Sequence, residues 1–216
     1  NRVTRENDCV PSHLYEFDYP INGIYIYKSN DGLHWNKIVK SPVMHRVFSS
    51  DTIKMGEIDF DTKPSIIKFN DEYIYYGRLN TSRQERRIYL RKSKDLLTWD
   101  DPIKINIINE TEHDGVIKNN YYHLVPFIYK DRLYAFVPFF KAILLDTHNE
   151  YKDSCTLIME SSDGINWLIK GNILRFNTKY KSRVNDVKVI NNNILLYTRE
   201  NINETNPIFF KYNFSI

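Results

Sequence analysis

Ser161-Ser162-Asp163-Gly164-Ile165-Asn166-Trp167 puts a serine, an acid, a glycine and an indole into one turn. The stretch recurs. Ser29-Asn30-Asp31-Gly32-Leu33-His34-Trp35 has the same frame, and Ser93-Lys94-Asp95-Leu96-Leu97-Thr98-Trp99 keeps its Ser, Asp and Trp. Each of the 3 tryptophans of the chain stands four residues after an Asp that itself follows a Ser by two. From Asp31 to Asp95 to Asp163 the steps are 64 and 68 residues, which fits a repeated four-stranded unit carrying one long loop. Recurrence at matched spacing reads these acids as turn markers.

Working outward, Pro64-Ser65-Ile66-Ile67-Lys68-Phe69 and Glu72-Tyr73-Ile74-Tyr75-Tyr76-Gly77-Arg78 flank Asn70-Asp71, a hairpin signal. A third run, Arg87 to Lys92, alternates in period two and leads into the Asp95 turn, and Pro102 to Ile105 closes the unit. These are strands A, B, C and D. The pattern returns at Pro126 to Tyr129, Leu133 to Val137 and, after a long loop, Cys155 to Glu160. It returns again at Val187 to Ile190, Ile194 to Asn201 and Ile208 to Tyr212, there without a strand D. Val3-Thr4-Arg5-Glu6-Asn7 repeats the end of strand B around Thr198-Arg199-Glu200-Asn201, so the chain is expected to enter inside a blade. Helical periodicity is weak throughout, and radially repeated antiparallel sheets mean a β-propeller. A β-sandwich is the alternative, but it leaves the spacing of the Ser-Asp-Trp frame unexplained. The expectation is one all-β propeller domain over residues 1–216, with about four blades visible, five when complete, and an N-terminal portion lying upstream.

Composition agrees with strands: aromatics reach 14%, chiefly 16 Tyr and 12 Phe, against 7 Gly. A formal net charge of +3 without a basic tract argues against nucleic acid as a partner. No apolar run approaches the roughly 20 residues of a membrane span. Cys9 and Cys155 have no metal-ligand spacing and fix no compartment. Sequons begin at Asn80, Asn109, Asn203 and Asn213.

The run Lys63-Pro64-Ser65-Ile66-Ile67-Lys68-Phe69-Asn70-Asp71-Glu72-Tyr73-Ile74-Tyr75-Tyr76, continued by Ile88-Tyr89-Leu90-Arg91-Lys92-Ser93-Lys94-Asp95-Leu96-Leu97-Thr98-Trp99, resembles the blades of five-bladed propeller glycosidases of glycoside hydrolase families 43 and 32. The Ser-x-Asp-Gly-x-x-Trp frames look like reduced versions of the sialidase Asp-box. The resemblance implies a sugar site at the propeller axis, built from the starts of strands A and the ends of strands B, with carboxylates in catalytic roles. It places the Asp turns away from that site, which implies that Asp31, Asp95 and Asp163 cap their own backbone and that the indoles cover the apolar gap between blades.

Glycoside cleavage needs a carboxylic acid to protonate the leaving oxygen and a carboxylate to attack or to activate water, about 5 to 9.5 Å apart. Asp61 is the first candidate, because the resembled blades carry an acid just before the strand A proline; here Lys63 stands where they have Asp. Glu200 as acid and Asp114 as base complete the expected set. Aligning the blades on their A–B turns matches Arg5, Arg78 and Arg199 at the exit of strand B, and clustered guanidiniums bind carboxylates bidentately. Ion pairing to neighbouring acids is their alternative reading, as is an Asp186–Arg183 pair. Lys63, His123 and Arg183 join these arginines as expected substrate-binding residues, with His123, after Tyr121 and Tyr122, offering stacking and hydrogen bonds. No metal or cofactor is implied. A glycan or glycoconjugate is the expected partner, with an N-terminal segment or other chains of an assembly as further contacts, and an extracellular, virion or cell surface as the setting. The alternative is a non-catalytic module that binds glycans or proteins.

Overall fold

The structure, a computed structural model, describes residues 23–45, 57–59, 63–82, 85–110, 117–144, 149–176, 182–191, 193–200 and 208–214. Among these there is no helix, and the chain is all-β as expected. Among the described residues, no helix is long and apolar enough to cross a membrane. Backbone contacts divide the chain into two compact units, Asn1–Arg46 and Val47–Ile216.

The described part of the first unit holds four short strands. β1 (Gly23–Ile24) pairs with β4 (Met44–His45), and β2 (Tyr27–Lys28) with β3 (Asn36–Lys37), both antiparallel. The Asp31 turn joins β2 to β3.

The second unit holds three sheets among its described residues, each built around a long central strand. In the first, β5 (Glu57–Asp59) and β6 (Ser65–Phe69) both pair with β7 (Glu72–Ser82), which pairs with β8 (Glu85–Ser93) and through it with β9 (Ile103–Lys104). After β9 comes the two-residue β10 (Asn106–Ile107). In the second sheet, β11 (Ile117–Tyr121) and β12 (Val125–Tyr129) share the edge of β13 (Arg132–Leu144), followed by β14 (Asn149–Ser161) and β15 (Asn166–Phe176). The third runs β16 (Ser182–Ile190), β17 (Asn193–Glu200) and β18 (Ile208–Phe214). These are antiparallel A-B-C-D blades, with strand D missing from the described part of the last.

Turn chemistry fixes the A–B hairpins. Asn70 and Asp71 have φ of 48° and 62°, Lys130 and Asp131 48° and 59°. Two consecutive residues of positive φ match the right-handed twist of the flanking strands, and Asn and Asp tolerate that region best.

The Asp turns repeat bond for bond. In each, one carboxylate oxygen accepts the two backbone N–H groups that follow, at 2.8 Å: Leu33 and His34 on Asp31, Leu97 and Thr98 on Asp95, Ile165 and Asn166 on Asp163. The serine hydroxyl accepts the N–H of Gly32, Leu96 or Gly164, and the indole donates to the carbonyl of that same residue. Burial of the indoles differs. Trp167 is fully buried between two sheets, edge-on to Tyr76 at 5.9 Å; Trp99 is half-buried against Tyr75 of its own sheet; Trp35 is 60% exposed. Among the described residues, the expected gap-covering role is seen at Trp167.

Two apolar clusters join the sheets. One packs Ile74, Tyr76, Ile88 and Leu90 of the β7 sheet on Leu133, Ala135, Val137, Met159 and Trp167. The other packs Phe127, Tyr134, Phe136 and Ile158 on Val184, Ile194 and Leu196. Strands β6, β12 and β16 lie beside one another along these seams. A further tie runs outside: β10 pairs in parallel with β15, and the Asn109 amide continues that ladder by donating to the Ile169 carbonyl at 3.0 Å and accepting its N–H at 2.8 Å.

The long loop expected before Cys155 is instead a hairpin arm. β13 and β14 remain paired as far as Leu144 and Asn149, with a bulge between Phe139 and Lys141, and β11 continues the sheet alongside. Cross-strand bonding outweighs the low strand propensity of Asn149 to Ser154.

Candidate functional site

The inner strands break at matched places. Across β7, β5 ends opposite Arg78 and β6 begins opposite Tyr76, so the pairing along β7 is interrupted at Gly77. Across β13, Tyr121 pairs with Phe139 and Val125 with Phe136, and Tyr122-His123-Leu124 lift away between them. Across β17, a bulge between Val184 and Asp186 makes the same step.

Two of the breaks are accommodated by the residue opposite. Pro138 has no N–H to orphan where the strand departs, and its carbonyl accepts the Tyr122 N–H at 2.9 Å. Gly77 leaves room for the Tyr89 ring, which an added Cβ would meet at 2.6 Å.

The departing segments converge on one cleft of about 200 Å³, lined by Lys63 to Ile66, His123 to Pro126, and Asp186. Two hydrogen bonds hold its rim together across sheets: Ser65 Oγ donates to the Leu124 carbonyl at 2.6 Å, and His123 Nε2 donates to the Val184 carbonyl at 2.9 Å. A carbonyl only accepts, so His123 carries a proton on Nε2. His123 is 6% exposed, and its ring stands edge-on to Tyr122 at 5.8 Å. Lys63 is exposed. Asp186 is also exposed, and its carboxylate accepts the Val187 N–H at 2.9 Å.

Of the residues expected from sequence, the cleft thus brings Lys63, His123 and Asp186 together and adds Ser65. Arg78 is 6% exposed and faces the seam, its guanidinium 5.6 Å from the Tyr122 ring centre. Arg183 and Arg199 are directly opposed in register, as are Ser182 and Glu200, although the side chains of these four are not described. Arg5, Asp61 and Asp114 lie outside the described residues.

A charged network lies deeper in the same seam. Arg87 binds Glu85 at 2.8 Å and Glu110 at 2.5 Å, and Glu110 also accepts from Asn119 at 2.9 Å. Burial opposes the Arg87 charge, but the two carboxylates outweigh it and raise its pKa. Burial and the Glu110 charge push the Tyr121 hydroxyl up.

Sequence reasoning missed Arg86. It lies on the same strand face as Ile88 and Leu90, so a charge interrupts an apolar alternation that continues into the seam. That interruption was the available signal. The Arg86 guanidinium lies 5.8 Å from the Tyr122 ring centre and 5.7 Å from that of Phe140. Among the described residues, no group of three His, Cys, Asp or Glu side chains is placed to hold a metal.

No protein-family model matches the chain, and no curated protein matches it. Solved structures do resemble it. An α-L-arabinofuranosidase from Clostridium thermocellum aligns over 97% of this chain and 62% of its own, with a TM-score of 0.58 and 10% identity. A β-1,2-mannobiose phosphorylase from Listeria innocua, solved with β-1,2-mannobiose, aligns over 88% and 49% at a TM-score of 0.54 and 14% identity. A family 117 glycoside hydrolase from Zobellia galactanivorans aligns over 87% and 51% at 0.54 and 9%. The chain spans about half the length of the structures it matches. At these identities the likeness is one of fold. The fold is a β-propeller of antiparallel blades.

Proposed function

We propose that this chain is a carbohydrate-active propeller that binds a glycan in the cleft between β6, β12 and β16 and hydrolyses a glycosidic bond there. The observation that carries the reading is the convergence of three matched strand breaks on one cleft that presents Lys63, His123 and Asp186. A rim tied by backbone carbonyls is rigid, and rigidity is what oriented sugar binding requires. In this reading Asp61 and Asp114 supply carboxylates, Glu200 is the acid, and Arg5, Arg78, Arg183 and Arg199 with Lys63 and His123 hold the sugar hydroxyls and ring. The resemblance in fold to an arabinofuranosidase and a mannobiose phosphorylase supports a carbohydrate ligand.

One observation favours a second reading, a glycan-binding module without catalysis: Asp186 is the one carboxylate lining the cleft among its described residues. Assay on a panel of aryl glycosides separates the two. Hydrolysis that drops at least about 100-fold in Asp61→Asn and Glu200→Gln supports the enzyme. Glycan binding without turnover supports the module. Absence of both defeats the proposal.

A further inference from the structure

Arg86 is a half-buried guanidinium with no carboxylate within ion-pair distance among the described residues and no hydrogen bond to its Nε. Its neighbours are two rings, Tyr122 and Phe140, themselves 6.3 Å apart. The next residue, Arg87, shows the usual solution for such a charge, with two carboxylates on one guanidinium. In backbone register, Arg86 of β8 pairs with the uncharged Asn80 of β7, and Arg78 of β7 pairs with Asp59 of β5. Charge held away from water without a counter-ion is unfavourable, and a guanidinium beside aromatic rings, with its N–H donors unspent on carboxylates, is suited to receiving a planar or tetrahedral anion.

Its location gives this charge a use. Tyr122 links Arg86 to the cleft: it contacts the Arg86 guanidinium on one side, and His123, which lines the cleft, on the other. The cleft itself carries Lys63 against Asp186, and the seam beside it carries Arg78. Glu57 and Asp59 on β5 stand in register with Asn80 and Arg78, one strand further from Arg86.

Building on the glycan reading above, we infer that the ligand is an acidic glycan, and that Arg86, beside Tyr122 and Phe140, binds its carboxylate or sulfate on the far side of Tyr122 from the cleft. The anion would pair with a guanidinium that no described carboxylate reaches, while another sugar ring of the same glycan occupies the cleft next to His123.

Matched probes test this on the intact chain: oligogalacturonides against their methyl esters, and sulfated against desulfated galactosaminoglycan oligosaccharides, with binding followed by calorimetry at two salt concentrations. The expected result is at least ten-fold tighter binding of one acidic member than of its neutral partner, weakened by salt. Arg86→Gln should abolish that preference, Arg86→Lys should keep part of it, and Lys94→Gln, at the Asp95 turn, should leave it unchanged. Circular dichroism and thermal melting confirm that each variant is folded. Equal binding of acidic and neutral members, or a preference that persists in Arg86→Gln, overturns the acidic-glycan inference and leaves the glycan reading standing. Binding of no probe, acidic or neutral, overturns both.

Discussion

The Tyr76 hydroxyl donates to the Gly164 carbonyl at 3.0 Å, joining the β7 sheet to the Asp163 turn of the next. Burial, with the Asp163 carboxylate nearby, pushes that hydroxyl well above its ordinary range, so it remains a donor. Gly164 makes the approach possible: an added Cβ would lie 2.8 Å from both the Tyr76 hydroxyl and Ile74 Cδ1, at a φ of 78°. Gly164→Ala combines left-handed strain of about 1–2 kcal/mol with overpacking of about 1–3 kcal/mol. Gly32→Ala meets no atom within 4 Å and carries only the first of these. Urea denaturation of the two variants should therefore differ by about 1–3 kcal/mol, with Gly164→Ala the weaker protein; equal losses would mean that the seam yields freely.

Leu96 occupies the same turn position as Gly32 and Gly164, with a φ of 67°. A branched side chain there is strained. Leu96→Gly exchanges some half-buried apolar surface for relief of that strain and is expected to raise stability by about 0.5–1 kcal/mol. A lower denaturation midpoint in the glycine variant would show that the leucine contacts matter more than the backbone.

Burial pushes the Asp163 carboxyl up, but the N–H groups of Asn166 and Ile165, the Asn166 amide and the Ser161 hydroxyl outweigh it and hold the pKa at about 2. The folded value lies below the unfolded one, so this stabilisation is complete above the unfolded pKa near 4 and is lost as pH falls toward 2. Melting temperature followed from pH 5 to pH 2 should fall less steeply in Asp163→Asn than in the parent. Asp31 and Asp95 are shifted downward by the same kind of backbone bonds, so part of the acid sensitivity should persist.

Glu110→Ala removes one of two carboxylates from Arg87 and the acceptor of Asn119. Both charged side chains are about four-fifths buried, at 20% and 21% exposure, and breaking such a pair is expected to cost about 2–3 kcal/mol, below the full range for deeper pairs. In a double-mutant cycle with Arg87→Met, the two losses should fall short of adding. Additive losses would remove the network from any account of the seam.

Features set by local sequence were legible in advance. Ser93, Asp95 and Trp99 satisfy one another within a single turn, and Asn70-Asp71 specify their hairpin through φ alone, so spacing and residue type were sufficient. Features set by pairing across distance were not. Asn149 to Ser154 and Ile117 to Tyr121 have weak strand character, yet they lie in a continuous ladder because β13 runs between them. Lys63 and His123 were found by aligning repeats. Asp186 follows from the same alignment, whereas Ser65 enters the cleft because a strand break displaces it, and the only mark of Arg86 in the sequence is a charge on an otherwise apolar strand face.

The parallel pairing of β10 with β15 also bears on solubility. β15 is an eleven-residue outer strand, and an outer strand of that length offers its unpaired backbone groups to any strand on another molecule. The outer strand β9 of the preceding sheet is only two residues long. On β15 the first positions are taken by β10 and the next by the Asn109 amide, so the segment that leaves one blade shields the edge of the next. Asn109→Ala would uncover that edge, and the damage would show first as self-association at high concentration, before any loss of fold.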